Sequence, residues 1–97
     1  MVQNPMKIKG EFVVRQVMDH VVAIPVGSTA LQLNGMIMLN DVSKIIWDCL
    51  TAGSTVEAIT QAVTQHFEVS EAEAKADVIE FVDKLRQLKL LDEESEQ

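Results

Sequence analysis

The chain has 97 residues, 47% hydrophobic and 24% charged, a balance that describes one globular domain around a single core and excludes a disordered or fibrous chain. Lys and Arg number 8 against 15 Asp and Glu, and the net charge of -7 opposes nonspecific attraction to nucleic acid or to anionic membrane surfaces. The lone cysteine, Cys49, excludes an internal disulfide and any zinc site built on two thiolates; with no stretch apolar enough for a bilayer span or a secretory signal, a cytoplasmic protein is expected.

In chain order, residues 1–10 read as a flexible tail. From Glu11 to Val17, EFVVRQV is β-branched and alternating, the pattern of a strand. A short turn at Met18 and Asp19 leads to HVVAIPV, residues 20–26, a second strand that can pair with the first as a hairpin. Pro25 has no N–H for a ladder and belongs near that strand's end or on a free edge. GSTALQLNG, residues 27–35, reads as a loop anchored by Leu31 and Leu33. GMIML, residues 35–39, is a third short strand whose alternation puts Ile37 and Leu39 on one face and Met36 and Met38 on the other.

The period then changes. Val42, Ile45, Ile46, Cys49 and Leu50 make one stripe of a helix that Asn40 or Asp41 can cap and Gly53 can end. Trp47 lies at the border of that stripe and reads as a core element. A second helix begins at Ser54 or Thr55, where Ser54 and Glu57 have capping-box spacing, buries Val56, Ile59 and Val63, and runs to about Phe67. The third starts from Ser70 and Glu73 and carries the stripe Ala74, Val78, Phe81, Val82, Leu85 and Leu88. At about 20 residues it should be roughly 30 Å long. The end, DEESEQ over residues 92–97, reads as an acidic tail. Together these elements predict an α+β fold, winged-helix-like, with a three-stranded antiparallel sheet followed by three helices over residues 11–91.

Catalytic signatures are missing: the sequence has no Gly-rich phosphate loop, no GxSxG and no HExxH. His20 and His66 lack the neighbours that a metal site or triad needs, and Cys49 on an apolar stripe reads as a small buried hydrophobe. Glu71, Glu73, Asp77, Glu80 and Asp83 read as a solvated helix face. A winged helix can bind DNA, but the second helix contains no Lys or Arg, so nucleic-acid binding stands as an alternative that charge disfavours. A homodimer formed through an exposed strand edge is a further alternative.

The order of features carries a resemblance. EFVVRQVMDHVVAIPVG, GMIMLND, IIWDCLTAGSTVEAI and DVIEFVDKLRQLKLL, spread from Glu11 to Leu91, are similar in sequence and spacing to the PqqD family. The resemblance implies a RiPP recognition element, a non-catalytic peptide chaperone without cofactor or metal. Such a module binds the leader of a ribosomally made precursor and presents it to a modifying enzyme, often of the radical SAM type. It implies a leader bound as an added strand beside Gly35, Met36, Ile37, Met38 and Leu39, with Lys75, Val78, Ile79 and Val82 of the third helix as the opposite wall. Members that serve quinone synthesis usually carry Pro-Glu-Gly where this chain has Pro25-Val26-Gly27, Cys-Asp-Gly where it has Thr51-Ala52-Gly53, and an aliphatic residue at Trp47. A recognition module for another peptide product is therefore expected, with no nucleic-acid or membrane partner.

Overall fold

A computed structural model describes residues 5–93. The elements run β1 (Met6–Ile8), β2 (Phe12–Val17), β3 (His20–Pro25), α1 (Thr29–Gln32), β4 (Ile37–Leu39), α2 (Asp41–Ala52), α3 (Val56–His66), α4 (Glu71–Gln87) and β5 (Leu91–Glu93). The expected α+β architecture holds: β2, β3 and β4 form an antiparallel sheet in that order, followed by three long helices.

The β2–β3 hairpin pairs Phe12 with Pro25 through to Val17 with His20, leaving Met18 and Asp19 as its turn. Pro25 is the last residue of β3, where its missing N–H costs no ladder bond. β4 is short and pairs only Ile37, Met38 and Leu39 with Ala23, Val22 and Val21. Two residues further, the register would set Gly35 against Pro25, and there the chain bends at a Gly35 φ of 102°. The third strand thus begins at Ile37 rather than at Gly35. Within the expected loop, Thr29–Gln32 close one helical turn, and Thr29 Oγ1 accepts the Glu11 N–H at 2.8 Å, tying that turn to the start of the hairpin.

Each long helix starts at a side-chain cap. Asn40 Oδ1 accepts the Ser43 N–H at 2.8 Å while Ser43 Oγ accepts the Asn40 N–H at 2.7 Å, a reciprocal box with Ser in the place usual for Glu. Ser70 Oγ accepts the Glu73 N–H at 3.1 Å. At α3 the expected Ser54–Glu57 box gives way to Thr55, whose hydroxyl accepts the Ala58 N–H at 3.2 Å. Ser54 is taken by another element: its N–H and C=O exchange hydrogen bonds with Met6 at 2.9 and 2.7 Å. Met6 opens β1, which pairs antiparallel with β5 from Met6 opposite Glu93 to Ile8 opposite Leu91. Met6–Ile8, Asp92 and Glu93 fall in the expected tails and Leu91 inside the expected domain, yet β1 and β5 are paired strands. They form a clasp that carries Met6 and Leu90 into the core, at 4% and 6% exposure.

The core lies between the inner face of the sheet and the three helices, and its largest enclosed side chain is Trp47, set edge-on to Phe12 with ring centroids 5.1 Å apart. Ile46 and Leu50 of α2, Ile59 and Val63 of α3, and Val78, Val82 and Leu85 of α4 close around it, all at 1% exposure or less. Among the described residues, no helix is long and apolar enough to cross a membrane.

Candidate functional site

Strand order makes β4 an edge: β3 covers one side of it, and no strand among the described residues covers the other. Its alternation is as expected. Ile37 and Leu39 are buried at 4% and 5%, while Met36 and Met38 are 56% and 58% exposed. Off this open side lies a groove of about 570 Å³, bordered by Met38 and by α4, with the first turns of α2 at its end. Val42, Ile46 and Phe81 give it an apolar lining, and Asp77, Glu80 and Lys84 of α4 give it a charged wall. These α4 residues recur at three and four, so they share one face of the helix.

The Asn40–Ser43 cap fixes where the strand ends and α2 begins, and therefore the end of the groove. Depth comes from α4, whose stripe of Ala74, Val78, Val82 and Leu85 is sunk in the core and presents the adjacent stripe toward β4. The helix-wall residues anticipated from sequence are separated by this arrangement. Val78 and Val82 are buried at 0% and 1% and hold the helix in place without reaching the groove surface. Lys75 faces α3, with Nζ 3.5 Å from Glu57 Oε2, and Ile79 is 41% exposed and does not line the groove. Phe81, Asp77, Glu80 and Lys84 stand where those residues were expected. Phe81 belongs to the apolar stripe read from the sequence, whereas Asp77 and Glu80 belong to the face that reads as solvated, with Lys84 beside it.

Electrostatics divide the wall. Asp83 is engaged by Arg86 Nη1 at 2.9 Å, whereas neither Asp77, Glu80 nor Lys84 has an ion-pair partner among the described residues. Arg86 also forks onto Glu93 of β5, its Nε donating to Oε2 at 3.0 Å and Nη2 to Oε1 at 3.1 Å, which holds the Glu93 carboxyl below the usual carboxylate range. Cys49 is half-buried on α2; burial, then the charge of Asp48, pushes its thiol up, so it stays protonated at neutral pH. His66 is exposed, with Nδ1–H donating to Ala62 O at 2.8 Å. Among the described residues, no cluster of three His, Cys, Asp or Glu side chains could hold a metal ion. The groove offers strand backbone unpaired among the described residues, an apolar lining and a charged rim.

Comparison with known proteins adds to this geometry. A solved structure, TbiB1 in complex with the TbiA(beta) leader peptide, superimposes on the chain with a TM-score of 0.68 at 23% identity, covering 93% of this chain and 99% of that one. That likeness establishes the fold. No curated protein matches the sequence. The family model for coenzyme PQQ synthesis protein D (PqqD) matches residues 19–91. That span runs from the β2–β3 turn to the first residue of β5 and takes in β4, the three long helices and both walls of the groove; the chain belongs to the PqqD family.

Proposed function

We propose that this protein is a non-catalytic recognition module that binds the leader segment of a ribosomally synthesised precursor peptide and presents it to a peptide-modifying enzyme. The observation that carries this reading is the unpaired edge of β4 beside the α4 wall. An extended peptide laid along that edge satisfies its free N–H and C=O groups, and its alternate side chains reach the groove. The PqqD match and a structural neighbour solved with a leader peptide support the same reading. The peptide lies beside Ile37, Met38 and Leu39 and contacts the Asp77, Glu80, Phe81 and Lys84 face. The partner enzyme is of the radical SAM type, and the pair works in the cytoplasm.

The product is a peptide other than the quinone cofactor. The chain keeps the glycines of both divergent turns, Gly27 at φ 61° and Gly53 at φ 97°, conformations that side chains with a Cβ rarely adopt. It changes the residues before them, with Val26 and Ala52 where the quinone members carry carboxylates. Backbone is preserved while surface chemistry differs, as expected for a scaffold serving a different partner.

Titration with synthetic leader segments of candidate ribosomal precursor peptides, followed by amide NMR, tests the proposal. Shifts at residues 37–39 and along the Asp77–Lys84 face of α4 are expected. Shifts confined to α3 would overturn it.

A further inference from the structure

The groove also specifies the charge of what it takes. Its lining is apolar at Val42, Ile46 and Phe81, and its helix wall carries Asp77 and Glu80, exposed carboxylates without an ion-pair partner among the described residues. Separated by three positions on α4, they are neighbours on the helix surface, about 5–6 Å apart at Cβ, so one cationic group between them meets both. A lysine or arginine is the side chain that suits both surfaces at once. Its aliphatic stem covers apolar atoms while its head stays at a hydrated, charged rim. An aspartate or glutamate at that point would face two like charges with a single cation, Lys84, one turn away.

Resting on the leader-binding reading above, we infer that the strand received by β4 carries a lysine or arginine facing Asp77 and Glu80. The inference draws on charge complementarity in a groove whose strand edge is already unpaired, and it commits the groove to a basic peptide segment. Same-face side chains of an extended peptide recur about every 6.6–7 Å, so one side chain at a time falls opposite the carboxylate pair. The preference is therefore confined to a single peptide position.

The test is selection from a random-peptide phage library against the whole chain and against the Asp77→Lys/Glu80→Lys variant. Both substitutions lie on an exposed helix face, and an unchanged thermal midpoint confirms folding. Peptides selected on the native chain are expected to shift the amides of residues 37–39 and to share a Lys or Arg at one position. Exchanging that residue for Gln should weaken binding about fivefold at low salt, with the loss shrinking as ionic strength rises. On the variant the preference should turn to Asp or Glu. Selected peptides that shift residues 37–39 but bind both chains alike, or carry acidic residues there, overturn the charge inference and leave the groove reading intact. Peptides that never shift β4 or α4, or a library without binders, overturn both.

Discussion

Lys89 sits at φ 61°, just past the end of α4, in the backbone region that favours glycine. It is held there by the turn that closes the helix: the Leu90 N–H donates to Leu85 O at 2.9 Å and the Lys89 N–H to Arg86 O at 2.9 Å. This crossed pair is the Schellman arrangement, and it drops Leu90 into the core at 6% exposure. Lysine meets the conformation at a steric cost that glycine avoids, partly offset by the greater freedom of glycine in the unfolded chain. Lys89→Gly should therefore raise stability by roughly 0.5–1 kcal/mol, read as a higher denaturant midpoint at unchanged slope. Asn40 works in the opposite direction. Its side chain satisfies an otherwise free N–H at the start of α2, and Asn40→Ala should cost about 1 kcal/mol in the same assay.

Among the elements, the β1–β5 clasp is the one that local sequence could not reveal. MKI and LDE are too short to show a period, and their pairing joins opposite ends of the chain, so nothing nearby distinguishes either from a solvated tail. The Ser54 cap fails for the same reason: its spacing to Glu57 is right, but a distant strand claims its backbone. The three long helices were legible because each repeats its stripe over several turns, and the cap residues Asn40 and Ser70 sit where the pattern begins. The clasp has a pH signature through Glu93. Its folded pKa is lowered by Arg86, so its contribution is complete above the ordinary carboxylate value of about 4.3 and is lost as pH falls through the lower folded value. The side chains of Arg86 and Glu93 are 45% and 38% exposed, which limits the pair to roughly 0.5 kcal/mol after solvent screening. Glu93→Gln should lower the denaturation midpoint slightly at neutral pH, and the difference from the native chain should shrink as pH falls below the ordinary carboxylate range. A difference that persists in acid would mean that glutamine disturbs packing instead.

On the scale of the whole molecule, the third strand and its alternation could be read from GMIML and its open edge from the family resemblance, but the helix wall opposite could not. Val78 and Val82 belong to the apolar stripe of α4 and are for that reason interior, while the groove is met by Phe81 at the border of that stripe and by Asp77, Glu80 and Lys84, of which Asp77 and Glu80 read as a solvated face. Which face of α4 turns toward β4 is decided by how α2 and α3 pack beneath it, a fact of tertiary structure. The consequence concerns the sheet as a unit. A peptide seated on β4 extends the order β2-β3-β4 by one strand and converts an edge into an interior strand, whereas the outer edge of β2 has no strand partner among the described residues. Ligand that binds only the folded state at about 100 times its dissociation constant should add roughly 2.7 kcal/mol of stability. For a domain of this size that corresponds to a rise of some 10–20 °C, with about 4–8 °C per kcal/mol. Thermal unfolding with a synthetic leader peptide measures the rise, and hydrogen exchange locates it. Amides of residues 37–39 should gain protection while those on the free side of β2 exchange as before. A thermal shift accompanied by protection along β2 instead would mean that the peptide extends the sheet from its other edge, leaving the α4 groove empty.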